Sequence, residues 1–234
     1  MRASRFLLVV LALLVQTTFA RGDVITIRTG QVGAGPGVCP GLDDSFRYYA
    51  PETQCGQPIL PTPFGPSDFA RACSGPQAPV VDPYYTAWAP AMACDSIARW
   101  ISSGVDASCF GSSVSVLYCA GFDSHCTLAD SVKVCWLVDD FLGDQPSYPG
   151  PNPDGVYING VSLGSAFSGG NPVTPTTAVA YNVPLNNGSN SLQVYQRDAG
   201  CAVSGIMLSC TVYLSCGTVP TEETSWGHIK NLYR

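Results

Sequence analysis

Charge is scarce in this sequence, since Asp, Glu, Lys and Arg make up only 12% of its 234 residues. Globular proteins carry about a quarter of such residues. Coiled coils and helical bundles need long periodic runs rich in Ala, Glu, Lys, Leu and Arg, so this composition excludes both. The formal net charge of −6 predicts no nucleic-acid partner, because phosphate binding requires a basic surface.

Catalytic side chains are also few. The sequence has two His, His125 and His228, and neither a P-loop nor a G-x-G-x-x-G motif follows a strand-like segment. One G-x-S-x-G match places Ser162 in the return strand of a hairpin, whereas a nucleophile elbow requires a strand-to-helix turn. We therefore expect a protein that is not an enzyme, with a secreted hydrolase as the least favoured alternative.

The N-terminus has the pattern of a secretory signal peptide. Arg2 and Arg5 precede an apolar run over residues 6–15, and Thr18-Phe19-Ala20 supplies small residues at a cleavage site. The run is shorter than the roughly 20 residues that span a bilayer. We predict a signal peptide over residues 1–20, a mature chain beginning at Arg21, no membrane span, and a secreted or cell-surface location.

Cysteine, glycine and proline are abundant instead, with 11 Cys, 24 Gly and 19 Pro. In an exported chain such cysteines predict a disulfide framework, since no C-x-x-C pair or zinc-finger spacing is present. The odd count predicts at least one cysteine that is free or bonded to another chain. The cysteines are Cys39, Cys55, Cys73, Cys94, Cys109, Cys119, Cys126, Cys135, Cys201, Cys210 and Cys216.

Short apolar or alternating segments separated by Gly, Asn and Pro turns predict a β-sandwich. The strongest signal is a hairpin over residues 155–163 with Asn159-Gly160 at its turn. Residues 131–138 alternate with Val132, Val134, Trp136 and Val138 on one face, and both faces are expected to be covered. Further strands are predicted over residues 24–28, 46–49, 114–119, 178–183, 192–196 and 205–216.

Other segments give weaker signals. Residues 51–79 are rich in Pro, Cys and Gly and predict a long covering loop pinned by Cys55 and Cys73. Residues 95–102 fit either a short helical turn or a strand. Trp100 and Trp136 lie in apolar runs and are expected in the core.

A change of composition marks the C-terminus after Gly217. Residues 218–234 begin with acids, end with bases, and place Trp226, Ile229 and Tyr233 on one helical face. They predict a short helical tail, which is either a fraying terminus or a sorting or docking element.

The order of these signals resembles that of galactose-binding-like jelly-roll domains of secreted bacterial proteins, many of which carry PEP-CTERM sorting tails. The matching pieces are Thr29-Gly30, Ala98-Arg99-Trp100-Ile101, Val138-Asp139-Asp140, residues 155–160, residues 187–192 and Gly205-Ile206. The resemblance covers residues 24–216 and does not include the sorting tail. It implies a single all-β jelly-roll sandwich domain over residues 21–217, here stapled by disulfides.

An acidic loop is the candidate metal site. Asp140, Asp144 and Asp154 lie close together in sequence, and carboxylates in a turn are ligands that Ca²⁺ prefers. The resemblance also implies calcium at the edges of the sandwich. The alternative is that these acids form turns through their own hydrogen bonds.

Aromatic residues in loops are the candidate ligand site. Tyr84, Tyr85 and Trp88 lie in a Pro-punctuated loop, and Tyr148 lies in the acidic loop. Such rings stack on the apolar face of a sugar, or they plug the ends of the sandwich. We therefore expect a carbohydrate-binding or adhesive protein whose partner is a glycan or cell-surface polymer. The alternative is a self-associating structural subunit of an extracellular filament or sheath.

Overall fold

The computed structural model describes residues 22–33, 35–39, 41–51, 58–60, 62–81, 85–104, 114–200 and 202–216. The predicted signal peptide and the predicted tail at residues 218–234 lie outside the described residues. The described chain forms two antiparallel sheets packed face to face, so the predicted β-sandwich is confirmed.

Sheet I has four strands: β1 (Asp23–Arg28), β7 (Leu128–Val138), β11 (Thr176–Pro184) and β13 (Ile206–Leu214). Their order across the sheet is β1-β13-β7-β11, and all the pairings are antiparallel. The first and last of these strands in sequence, β1 and β13, are neighbours.

Sheet II has seven strands: β4 (Leu42–Tyr49), β5 (Gln77–Pro79), β6 (Val116–Ser124), β8 (Phe141–Leu142), β9 (Val156–Ile158), β10 (Val161–Ser162) and β12 (Gly188–Arg197). Six of them follow the order β10-β9-β12-β6-β4-β5, and β8 pairs with β12 beside this path. A small separate ribbon pairs β2 (Gln31–Val32) with β3 (Gly35–Pro36).

The main core lies between the sheets, where β7 contributes Val132, Val134, Trp136 and Val138 as its alternation predicts. Cys135 and Leu137 on the opposite face of β7 are also buried, in a second apolar cluster. The expectation that both faces are covered is therefore confirmed for residues 134–138, whereas Ser131 is only partly buried and Lys133 is exposed on the outer face. Trp100 and Trp136 are fully buried, as predicted.

The predicted hairpin is formed by β9 and β10, with Val161 opposite Ile158. Asn159 and Gly160 have φ of 51° and 78°. Both turn residues are therefore in the left-handed region, as a type I′ turn requires.

The prediction of a long covering loop over residues 51–79 is wrong in part. The segment contains a helix, α1 (Pro66–Cys73), and the short strand β5. Its expected attachment through Cys73 is present as the Cys73–Cys119 disulfide, whereas Cys55 lies outside the described residues. Pro66 begins the helix, and the Asp68 carboxylate accepts the N–H of Gly65 at 3.0 Å. Phe69 and Ala72 are buried. The helix therefore has one apolar face, although it is only about two turns long.

Residues 95–102 form turns and isolated bridges rather than a helix or a continuous strand. Ile101 bridges both Val80 and Ile206 in antiparallel fashion. It therefore links a loop to the first residue of β13, and this contact is not predictable from the sequence pattern of residues 95–102 alone.

Three disulfides join described residues: Cys73–Cys119, Cys94–Cys135 and Cys126–Cys216. Cys39 is also disulfide-bonded. Among the described cysteines, Cys210 is free and fully buried. Burial raises the pKa of its thiol to about 12, so this thiol does not present itself to another chain.

Candidate functional site

The outer face of sheet I is divided into a covered half and an open half. In the covered half, Trp88, Met92 and Trp100 pack against Leu137 and Met207. We call residues 88–100 the covering segment, and the Cys94–Cys135 disulfide attaches it to β7. The covering segment therefore closes one half of this face to a ligand, and the described residues leave the other half open.

Strand register sets the composition of the open half. Val24 pairs with Tyr213, Tyr213 pairs with Ser131, and Ser131 pairs with Tyr181. Directly opposed residues in a sheet project from the same face. The four side chains thus form one row that crosses all four strands of sheet I.

A second row lies beside the first, formed by Thr26, Thr211, Lys133 and Val179 in the same register. We call the eight residues of the two rows the tyrosine platform. Lys133 is the single charged side chain among these eight residues. The platform therefore combines two aromatic rings, two valines and small hydroxyl side chains on a nearly neutral surface.

The rings of the platform are accessible. Tyr181 is 73% exposed and Tyr213 is 40% exposed. They lie on strands separated by β7, so their backbones are about 10 Å apart, or two strand spacings. This separation is comparable with a disaccharide unit of an extended polysaccharide. Neighbouring Ser and Thr hydroxyls can both donate and accept hydrogen bonds.

A groove adjoins the platform where β11 meets the β9–β10 hairpin. Its volume is about 330 Å³. Among the described residues, its lining carries no charged side chain. The lining includes Val161, Leu163, Tyr181, Asn182, Leu185 and Asn186.

The aromatic residues predicted as ligand contacts do not converge on one site. Tyr84 lies outside the described residues. Trp88 is 3% exposed and stacks on Trp100 with ring centroids 4.3 Å apart, so its face is unavailable for a sugar. The Tyr85 ring packs edge-on against the Trp88 ring. The Tyr148 ring packs against the Phe141 ring and is about half exposed.

The three predicted calcium ligands are each engaged separately. Asp140 accepts the N–H groups of Ala199 and Gly200. Asp154 accepts the hydroxyl of Ser162 at 2.7 Å. These carboxylates act as loop-closing acceptors, which is the alternative that the sequence left open.

Asp144 is the buried member of the three. It accepts the N–H of Asn152 at 2.8 Å and lies 4.0 Å from the Arg197 guanidinium. Burial raises the pKa of Asp144, although the Asn152 hydrogen bond and Arg197 oppose the shift. Its hydrogen-bond and charge partners differ from those of Asp140 and Asp154, and the shared calcium site stays a prediction.

Within the described residues, one group of three potential metal ligands does come together: His125, Cys126 and Cys216. The two cysteines are bonded to each other, and a disulfide supplies no thiolate ligand. His125 Nε2 lies 3.4 Å from an Asp23 carboxylate oxygen at the surface. These three residues therefore do not provide a set of metal ligands while the disulfide is formed.

Asp139, in the turn after β7, has a strongly raised pKa. Burial raises its pKa to about 7, and the nearby charges of Asp140 and Asp198 add to the shift. The indole N–H of Trp88 donates a hydrogen bond to the Asp139 carboxylate at 3.2 Å, and this bond opposes the rise in pKa. This bond links the covering segment to the turn after β7.

The G-x-S-x-G match lies where the sequence predicts it, with Ser162 on the return strand β10. Its hydroxyl donates to Asp154 and accepts the N–H of Gly164. His125 faces Asp23 instead. The arrangement is that of a hydrogen-bonded hairpin end.

Sequence reasoning missed Tyr181 and Tyr213 as site residues. Both stand at outward positions of strands that the sequence does predict, so their exposure was within reach of the alternating pattern. Their common row was not, because it depends on how two distant strands pair with β7.

The described part of the chain contains no helix that is both long and apolar enough to cross a membrane. Its disulfides indicate folding in an oxidising compartment. Comparison of the chain with known protein families, with curated proteins and with solved structures gives no match.

Proposed function

We propose that this protein is an exported, non-enzymatic carbohydrate-binding or adhesive β-sandwich of the galactose-binding-like type. In this proposal it acts at the cell surface or in the extracellular matrix, and its partner is a glycan or cell-surface polymer. The observation that carries the proposal is the row containing Tyr181 and Tyr213 on an open, nearly neutral sheet face.

The chemistry of the platform favours sugars over other ligands. Exposed tyrosine rings offer flat apolar faces that match the C–H face of a pyranose. Hydroxyls of Ser131, Thr211 and Thr26 lie on the same face and match the sugar's own donors and acceptors. Lys133 is the single charge among the platform residues, so the platform lacks the basic cluster that recognition of an anionic polymer needs, and an uncharged polymer is the better match.

Binding of the mature protein to insoluble polysaccharides, such as cellulose, chitin and cell-wall preparations, tests the proposal together with a glycan array. Tyr181→Ala and Tyr213→Ala should each weaken binding about threefold to tenfold, given the usual contribution of an aromatic contact. The corresponding Tyr→Phe variants keep the ring and should retain most of the affinity.

Tyr148→Ala is the comparison variant, because Tyr148 is an exposed tyrosine outside the platform and is the alternative ligand contact that the sequence predicts. Equal loss in this variant would mean that the effect is not specific to the platform. Absence of binding to every glycan, or binding unaffected by the double platform variant, would reject the proposal.

A second candidate function is favoured by the edge of sheet I. β11 is nine residues long and, among the described residues, pairs only with β7. An unpaired edge of this length can add a strand from another molecule. Ordered polymers in size-exclusion chromatography and negative-stain images, formed without glycan, would support a structural subunit of a filament or sheath.

A further inference from the structure

The tight connection between β11 and β12 contains the sequence Asn187-Gly188-Ser189. It is the single N-x-S/T triplet of the whole sequence, since every other asparagine lacks Ser or Thr two residues later. This triplet is the acceptor pattern for N-linked oligosaccharides, which are attached during export. Its place in the fold decides whether the pattern has physical support.

The connection is held together by the neighbours of Asn187. The buried Asn190 amide donates to the carbonyls of Asn186 and Gly188 at 2.9 Å, and its oxygen accepts the N–H of Asn186 at 2.7 Å. Asn186 also donates from its amide to the carbonyl of Ser189. The loop is thus closed by Asn186 and Asn190, and Asn187 contributes no side-chain hydrogen bond within the described residues.

Space is available at Asn187. Its side chain is exposed. Gly188 has φ of 105°, and no described atom lies within 4 Å of where its side chain would begin. Ser189 is exposed and donates its hydroxyl to Asp123 at 2.9 Å. A bulky group on Asn187 would therefore extend into solvent without displacing any contact of the fold.

We propose that Asn187 is an N-linked glycosylation site. In the reaction, the amide nitrogen of Asn187 forms a bond to C1 of the first sugar of a lipid-pyrophosphate-linked oligosaccharide. The bond between C1 and the pyrophosphate oxygen breaks, the amide loses one proton, and the lipid pyrophosphate leaves. The step needs no oxidant or reductant, and the donor belongs to the same export compartment that forms the disulfides.

The position also gives the glycan a physical role. Asn186, the preceding residue, lines the groove between β11 and the β9–β10 hairpin, where Val161 is largely exposed. An oligosaccharide at Asn187 stands at the rim of this groove. It would reduce contact between its apolar lining and other molecules, which improves solubility.

The test uses the full chain secreted by its native host, analysed by intact mass and by digestion with peptide N-glycosidase. We expect one oligosaccharide on the native protein and an Asp at position 187 after digestion. Asn187→Gln and Ser189→Ala should abolish the modification, whereas Ser189→Thr should preserve it.

Asn186→Gln is the matched control, since it alters the adjacent asparagine and leaves the acceptor triplet intact. Asp123→Asn is a second control, because it removes the acceptor of the Ser189 hydroxyl without altering the triplet. Retention of the glycan in both controls separates the modification from loop structure. An unmodified Asn187 in the secreted native protein would overturn the proposal.

Discussion

Gly30 shows how closely a loop approaches the sandwich at a single residue. Its φ is 72°, and a Cβ at this position would lie 2.3 Å from the Cβ of Arg99 and 2.9 Å from the Arg99 backbone. Its N–H donates to the buried Asp43 carboxylate, and its carbonyl accepts the N–H of Gly37 at 2.8 Å. The position therefore requires both left-handed backbone and the absence of a side chain.

We predict that Gly30→Ala destabilises the protein by about 3 kcal/mol or more, because left-handed strain costs about 1–2 kcal/mol and overpacking adds about 1–3 kcal/mol. Gly33→Ala is the control, since Gly33 has φ of 62° but no described atom within 4 Å of its added Cβ. It should cost only the backbone strain, about 1 kcal/mol. Urea unfolding of both variants measures the difference, and equal losses would contradict the proposed clash.

Asp139 makes stability depend on pH. Because burial raises its folded-state pKa to about 7, the ionised form disfavours the folded state. The contribution is complete below the ordinary carboxyl pKa near 4 and is lost as pH rises through about 7. Asp43 acts in the same direction, since burial raises its pKa to about 6 against its backbone hydrogen bonds.

We therefore predict that the free energy of unfolding falls between pH 5 and pH 8. Asp139→Asn should reduce this fall by about 1–2 kcal/mol, a value discounted for partial solvent access. The Asn carbonyl can still accept the indole N–H of Trp88. Asp130→Asn, which alters an exposed carboxylate on β7, is the control. A pH profile unchanged by Asp139→Asn would contradict the prediction.

Among the elements, those set by local chemistry were predictable from sequence. The Asn159-Gly160 turn and the alternation of β7 are encoded within a few residues. Helix α1 was missed because eight residues give too short a periodic signal within a Pro- and Cys-rich stretch. The burial of Trp88, one of the two alternatives that the sequence left open, depends on Trp100 and on a disulfide that spans 41 residues.

Two disulfides attach covering elements to the outer faces of the sandwich. Cys73 at the end of α1 is bonded to Cys119 on β6, and Cys94 is bonded to Cys135 on β7. Each bond joins a segment of weak intrinsic structure to a central strand. The covered half of sheet I should therefore depend on Cys94–Cys135 more than on local propensity.

We predict that replacing both Cys94 and Cys135 by Ser lowers the free energy of unfolding by about 3–4 kcal/mol, given the length of the closed loop. It should also shift tryptophan emission in the folded protein, because Trp88 and Trp100 are the centre of the covering segment. The Cys126/Cys216 double Ser variant should lower stability without changing native emission. Unchanged tryptophan emission in both variants would contradict the proposed dependence of the covered half of sheet I on the Cys94–Cys135 disulfide.

At the scale of the whole molecule, the candidate site arises from register between strands that are distant in sequence. Tyr181 and Tyr213 are 32 residues apart and share a row only because both β11 and β13 pair with β7. Sequence patterns indicate which face of a strand points outward, but they do not specify which strands are neighbours. The sandwich was thus predictable, whereas the platform was not.

The fold also closes before the C-terminal segment. β13 ends at Leu214, between its neighbours β1 and β7, and Cys216 is bonded to Cys126. The core strands and the described disulfides are therefore complete without residues 218–234, which lie outside the described residues. Their sequence places Trp226, Ile229 and Tyr233 on one helical face, and so short a helix is marginal when isolated.

We predict that deletion of residues 218–234 leaves the melting temperature of the core within about 2 °C of the full-length value, because the core strands and disulfides among the described residues form without them. The deletion should instead alter assembly or the distribution between cell surface and medium, because the aromatic stripe requires a partner surface. Calorimetry and fractionation of the secreted proteins measure both effects. A large loss of stability would show that the segment packs on the sandwich as part of its core.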